Sequence, residues 1–319
     1  MGRDALNEKP LYNQMKTTAI IVLHFGEVEN TLRCLDSIQK IKDLNTSKVF
    51  IIDNGTGKIN KNHLKIFRFQ YTLIKNKKNL GYAGGNNVGI RKALEENYEY
   101  IFLLNNDATV KSTILSDLQK PLQSSRIGIT GCIITYKENG DKIWFAGGSL
   151  NKEFCITRHL HMNKILSDTI IRQSETDFIT GAAMMVKREV FNDVGLIPEE
   201  YFLYWEDVDF CYTARKKMYK CYLVNKPLVQ HIVSASSGKK GSNRLSSIRA
   251  YYYARNPFIF MSRHQLNPLT VLCGQLAIRL PYSLLTLQDF PAAAEYVRGI
   301  KDGLRSMTNS SYNKKLSKI

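Results

Sequence analysis

The sequence predicts an α/β protein with a mostly parallel central sheet, followed by a C-terminal helical extension. Three observations carry this. Short apolar runs of strand length alternate with segments of helical period up to residue 104, the order expected of a parallel sheet. Polar clusters stand at the ends of two of those runs, where ligands of such sheets bind. Beyond the Ser/Gly/Lys stretch at 234–243 the chain reads helical, with prolines at 257, 268, 281 and 291 as punctuation.

The first strand is TAIIVLHF at 18–25, an unbroken apolar run of the kind buried on both faces. Apolar residues at 32, 35, 38 and 41 give the helix that follows its period. KVFII at 48–52 is the second strand and runs into Asp53, Asn54 and Gly55; residues 71–74 form the third. A helix is expected over 86–96, then YIFLL at 100–104 as the fourth strand, ending in Asn105, Asn106 and Asp107. Residues 128–136 and 142–150 read as strands or a hairpin, and 151–177 as an irregular excursion. Two strands are expected at 219–224 and 228–233, and a helix at 208–218.

A hydrophobic content of 44% supports a sizeable core, and 319 residues suffice for one large domain or a domain with an appendage. The six cysteines, at 34, 132, 155, 211, 221 and 273, have no metal-site or disulfide-framework spacing, which suits a reducing cytosol. The polar N-terminus is not a secretory signal, and Leu6 argues against myristoylation of Gly2. The net charge is +17, and from Ile232 onward 13 Lys and Arg face 3 Asp and Glu. This excess points to an anionic partner: nucleic acid, acidic lipid or a phosphate-bearing substrate.

Four segments carry candidate chemistry. NLGYAGGNN at 79–87 reads as a glycine-rich loop before a helix, either letting backbone approach a ligand or making a tight turn. Asp107 suits a hard cation that also binds a nucleotide diphosphate, or caps a strand end. Glu206, Asp207 and Asp209 follow the aromatics Tyr201, Phe202, Tyr204 and Trp205. They are either functional acids or the acidic first turn of a helix. His231 precedes a flexible loop in which Lys239, Lys240 and Arg244 are solvated or clamp a phosphate.

Taken together, these segments resemble the family 2 glycosyltransferases of the GT-A fold, most closely the rhamnosyltransferase-like members that build bacterial surface polysaccharides. The first strand with Asp53 and Asn54 resembles the family's nucleotide-binding start, and NLGYAGGNNVGI its glycine-rich element. LLNNDA at 103–108 stands at the DxD metal motif. TGAAMMVKREVFNDVGLIPEEYFLYWEDVDFCYTARKKMY resembles the acceptor-side block with its ED pair. His231 and Ser234 match a His-x-x-Ser element, and YYYARNPFIF an Arg-Asn element. The resemblance spans roughly residues 17 to 260. It implies a catalytic domain at 17–242, with a donor half at about 17–110 and an acceptor half at about 111–242, and a basic helical extension at 243–319.

The resemblance further implies nucleotide contacts at Asp53, Asn54, Gly81, Gly84, Asn86, Asn105 and Asn106. It implies a divalent cation, Mn2+ or Mg2+, on Asp107 and His231, and an inverting displacement on a nucleotide-sugar donor. A base must take the acceptor's proton. Asp207, the second acid of the pair, is assigned that role, with Glu206 shaping the sugar site. Tyr204 and Trp205 either face a sugar ring or pack in the core. Two positions depart from the pattern. Leu23-His24-Phe25 replaces the frequent Asn-Tyr, and only Asp107 of the metal motif is acidic, so modest metal affinity is expected. A nucleic-acid-binding protein is the competing class, disfavoured by the clustered acids. An inactive interaction module of the same fold is the third reading.

The apolar stretch 266–287 is interrupted by Pro268, Gln275, Arg279 and Pro281, which weighs against a spanning helix. It reads as helices packed on the domain, as a homo-oligomer contact, or as an interfacial surface. The last would place the protein peripherally on the inner face of the membrane, near a lipid-linked acceptor.

Overall fold

The computed structural model describes residues 17–232, 245–287 and 289–308. The chain opens β1 (Thr18–His24), α1 (Val28–Gln39), β2 (Ser47–Asp53), α2 (Lys61–Leu64), β3 (Tyr71–Lys75), α3 (Gly81–Glu95), β4 (Tyr100–Asn105) and β5 (Ala108–Val110). It continues α4 (Ile114–Leu122), β6 (Ile127–Tyr136), β7 (Ile143–Phe145), β8 (Gly148–Asn151), β9 (Ile156–His159), β10 (Ser174–Thr176) and β11 (Ala183–Lys187). Then come α5 (Arg188–Val194), α6 (Glu206–Lys216), β12 (Lys220–His231), α7 (Ser247–His264), α8 (Pro268–Cys273), a π-helical stretch Gly274–Arg279, α9 (Leu280–Thr286) and α10 (Phe290–Thr308).

Among the described residues ten strands form the central sheet, along the order β10-β12-β6-β11-β4-β1-β2-β3, with β5 and β7 on β12 and β6. Strands β4, β1, β2 and β3 are mutually parallel, as are β6 and β12. β11 lies between the two groups, antiparallel to β4 and β6. Every residue of β1 is buried, which is why its sequence lacks the alternation of a half-exposed strand. β8 and β9 form a separate hairpin.

Several expectations change. The helix expected from residue 86 begins at Gly81, so most of the supposed glycine loop is helix. The reason is packing: a Cβ on Gly85 would lie 2.5 Å from Leu23 Cδ1, and one on Gly89 2.8 Å from Ile21 Cγ2. These glycines let α3 lie close on β1. The two strands expected around 219–233 are one, β12, whose pairing with β6 shifts register near Val224 and Pro227. Residues 151–177 contain β9 and β10. Pro257 lies inside α7, whose Phe258, Ile259, Phe260 and Met261 belong to the main core. The C-terminal helices therefore begin as part of the catalytic body. The buried carboxylate of Asp209 on α6 seals that junction, facing Arg263 Nε at 2.8 Å and His264 Nε2 at 3.0 Å on α7.

Candidate active site

The carboxyl ends of β1, β2 and β4 meet at one edge of the sheet. At the end of β2, Asp53 is buried and its Oδ1 accepts from the Thr56 amide at 2.9 Å and hydroxyl at 2.7 Å. Its Oδ2 is also buried and has no partner among the described residues. The side chain of Asn54 is fully engaged. It donates to Asn79 Oδ1 and the Gly81 carbonyl, and it accepts from Asn76 Nδ2 and the Leu80 amide. Asn54 thus shapes the 76–81 loop. Its four hydrogen-bonding positions are spent there, so the side-chain nucleotide contact expected of it has no group left to make it. Gly81 turns into α3 with φ +75°, and a Cβ there would meet the Phe202 carbonyl at 2.4 Å. Asn86 is buried and donates back to the Tyr82 carbonyl. Gly84 lies in α3, where a Cβ would meet Leu80 Cβ at 3.0 Å.

At the end of β4 the chain passes Asn105, Asn106 and Asp107 into β5. Antiparallel pairing of β5 with β12 sets His231 opposite Ala108, one residue from Asp107. His231 Nε2 consequently lies 2.8 Å from Asp107 Oδ1, with both residues buried, and Asn105 Nδ2 lies 3.3 Å from the same nitrogen. Trp144 covers the imidazole, ring centroid to ring centroid 4.6 Å. Asn106 is turned the other way, donating to Thr31 Oγ1 and the Phe25 carbonyl. Among the described residues no cluster of three or more His, Cys, Asp or Glu could hold a metal ion. The Asp107–His231 pair matches what a diphosphate-bound cation needs, one or two protein ligands beside phosphate oxygens.

The acids of the ED pair open α6. Glu206 is buried, and its Oε2 has no partner among the described residues. Burial, and then the neighbouring Asp207 charge, push its carboxyl well above the ordinary carboxylate range. Burial also raises Asp207, but amides oppose the shift. Gly181 N–H donates to its Oδ2 at 2.9 Å and Val208 N–H to its Oδ1 at 2.8 Å. Asp207 thus has amide donors that favour its charged form, whereas Glu206 Oε2 has no partner among the described residues.

The turn at 180–182 joins this acid to the sheet edge. The Asn105 amide donates to the Ala182 carbonyl at 3.0 Å, and the Tyr82 hydroxyl to the Gly181 carbonyl at 2.5 Å. Burial and the charges of Glu206, Asp207 and, more weakly, Asp107 drive the Tyr82 phenol well above its usual range. Tyr82 thus braces the turn whose Gly181 amide binds Asp207. Sequence reasoning did not single it out, nor did it single out Asn87, which clamps Ile197 through both its amide groups. Both lie within the NLGYAGGNN segment at 79–87.

Other expected site residues behave differently. Trp205 is 4% exposed and packs on Phe260, so it presents no open face to a sugar. Apolar burial of so large a ring explains this. Tyr204 is half-buried against Tyr253, with ring centroids 4.8 Å apart. Lys239, Lys240 and Arg244 lie outside the described residues, as does Ser234.

A sequence profile described as "Glycosyl transferase family 2" matches residues 19–195, more than half of the chain. The chain is 24% identical over 303 residues to the dTDP-rhamnosyl transferase RfbF of Shigella flexneri, covering 92% of this chain and 98% of that one. It is 27% identical over 235 residues to the low-salt glycan biosynthesis hexosyltransferase Agl10 of Haloferax volcanii, covering 70% and 74%. Among solved structures it superposes on the mannosyltransferase PcManGT from Pyrobaculum calidifontis in complex with GDP-Man and Mn2+. The TM-score is 0.55 at 15% identity, over 94% of this chain and 85% of that one.

Proposed function

The chain belongs to glycosyl transferase family 2 and has the GT-A fold, and from that premise we propose that it moves a hexose or rhamnose from a UDP- or dTDP-sugar to a hydroxyl of a saccharide acceptor, with inversion. The observation that supports this best is the convergence of two groups on the 180–182 turn, which bonds Asp207 through the Gly181 amide and the end of β4 through the Ala182 carbonyl. One is the Asp107–His231 pair beyond β4, and the other is the Glu206–Asp207 pair opening α6. The rhamnose option draws on the near full-length likeness to RfbF.

In this reading residues 17 to about 110 hold the nucleotide, with Asp53 at the base or ribose and Asn54 organising the loop beneath it. Residues 111 to 242 receive the acceptor. The acceptor oxygen attacks the anomeric carbon, the bond to the diphosphate oxygen breaks, and the acceptor's proton passes to Asp207. The amides of Gly181 and Val208 favour its charged form and aim it. Glu206, whose carboxyl is raised by burial, has an Oε2 without a partner among the described residues and turns it to the sugar. Asp107 and His231 would hold a divalent cation, Mn2+ or Mg2+, which would supply positive charge beside the diphosphate. Lys239, Lys240 and Arg244 are proposed from sequence alone as further phosphate contacts.

The acceptor is proposed to be lipid-linked, in surface polysaccharide synthesis, and the protein to sit peripherally on an anionic membrane. The support is the 268–290 stretch. Leu269, Tyr282, Leu284, Leu285 and Phe290 are each at least 60% exposed there, no acid occurs before Asp289, and Arg279 lies among them. Among the described residues no helix is long and apolar enough to cross a membrane.

The test is a screen of purified protein against UDP-, dTDP- and GDP-sugars, reading nucleotide diphosphate release with and without Mn2+ or Mg2+. Release from a UDP- or dTDP-sugar, stimulated by metal, is expected. Neither release nor binding across the panel would remove the reading.

A further inference from the structure

We infer that Asn256, braced by Arg255, is a positioning residue for the Glu206–Asp207 pair, holding the left-handed turn from which that pair emerges. The inference rests on the reading of the pair as the reacting acids.

Phe202, Tyr204 and Trp205 have φ of 64°, 66° and 76°. Bulky side chains rarely occupy this region, and they stay there only where the surroundings over-determine the backbone. Trp205 directly precedes Glu206, so its φ sets the direction in which α6 departs and where both carboxyls point.

The constraint comes from α7. The side-chain nitrogen of Asn256 donates to the carbonyls of Tyr204 at 2.7 Å and Leu203 at 2.8 Å, and approaches that of Tyr201 at 3.4 Å. Its oxygen accepts from Arg255 Nε at 2.9 Å, which decides which end of the amide faces the turn. Arg255 Nη2 itself donates to the carbonyls of Glu200 and Tyr201, both at 2.8 Å. Asn256 is 0% exposed, so water has no route to replace it. Its amide protons are spent on these carbonyls.

The turn is tied on its other side to the donor half. The Phe202 carbonyl accepts from the Tyr82 amide at 2.6 Å, in the first turn of α3. Asn256 therefore helps set the spacing between the start of α3 and the acids, by acting through the turn. The sequence marked Arg255 and Asn256 only as a family-like Arg-Asn element; it gave no sign of their partners, which are backbone atoms some 50 residues back.

The test uses the full chain carrying Asn256→Asp, Asn256→Ala or Arg255→Gln. Asn256→Asp keeps the shape but sets a group without N–H donors against three carbonyls. The readouts are kcat and KM on whichever of UDP-glucose, dTDP-rhamnose and GDP-mannose the wild type turns over, affinity for UDP and dTDP, and hydrogen exchange of the 202–209 amides. A misplacement of about 1 Å costs on the order of 100-fold in rate. The expected result is a fall in kcat of about tenfold or more, with KM and nucleotide affinity within about threefold and faster exchange at 202–209. Should Asn256→Asp fail to fold, the other two variants decide. Wild-type kcat in a folded variant, or equal losses in binding and turnover, would overturn the assignment. If the wild type turns over no donor, the functional reading fails separately. Unchanged exchange at 202–209 would still refute the positioning role by itself.

Discussion

His231 Nε2 lies 2.8 Å from Asp107 Oδ1, although the two residues are 124 positions apart in the chain. The register of β5 on β12 creates the contact. A carboxylate and an imidazole therefore converge at the end of β4, and among the described residues no metal-holding group of three or more His, Cys, Asp or Glu includes them.

Such a two-member set predicts metal dependence that is steep in either partner. Asp107→Ala and His231→Ala are each expected to raise the Mn2+ concentration for half-maximal nucleotide release by about tenfold or more, since the remaining ligands are phosphate oxygens. Metal titrations of release and of UDP binding check this. Unchanged titrations in both variants would remove them as ligands.

Asp207→Asn is expected to lower transfer by a factor of about 100 to 10,000, the usual contribution of a positioned base. Nucleotide affinity should persist, because the Gly181 amide still finds an oxygen on the new side chain. Steady-state kinetics beside calorimetric UDP binding make the comparison. Near-normal turnover would end the assignment.

Glu206 predicts a pH effect on stability. Its carboxyl is raised in the fold by burial and by Asp207, so between its unfolded and folded values the native state holds the extra proton. Stability is then greatest below the ordinary carboxylate range and falls as pH rises through the folded value. Glu206→Gln should flatten that slope and raise Tm at neutral pH by about 2–4 °C for each kcal/mol recovered, while reducing transfer. Thermal melts from pH 4 to pH 9 are the measurement. A slope unchanged by the substitution would show that the charge is not held off.

The exposed apolar stretch at 268–290 predicts binding to vesicles containing anionic lipid. Each nearby cation contributes about 1 kcal/mol within a Debye length of about 10 Å at 0.1 M salt. Sedimentation with vesicles should therefore fall strongly, though not to zero, in high salt. Leu284→Ser with Leu285→Ser should weaken it further. Absence of binding at low salt, with concentration-dependent self-association instead, would reassign the stretch to contacts between copies.

Most of the sheet was legible because parallel strands buried on both faces leave uninterrupted apolar runs, as in TAIIVLHF and YIFLL. The start of α3 was not. A glycine-rich segment looks the same whether glycine serves a turn or a close approach, and only the distances from Gly85 to Leu23 and Gly89 to Ile21 separate the two. Trp205 was ambiguous for a similar reason, since an aromatic before a helix suits a sugar face or a core equally. Asp107 and His231 were linked through a family pattern, because their meeting depends on a strand register that no local periodicity encodes. The left-handed turn at 202–205 runs against the preferences of its own residues, and nothing short of Asn256 and Arg255 in place explains it.

The antiparallel insertion of β11 bears on how the chain is made. β4 ends at Asn105, and the strand that completes its other side begins only at Ala183. A nascent chain emerging from the ribosome therefore presents β4 as an open, largely apolar edge until the later segment arrives. Unpaired edges of this kind recruit other chains. The N-terminal half is accordingly a poor candidate for expression as an isolated nucleotide-binding fragment. Slowing translation between the two strands should shift product toward inclusion bodies.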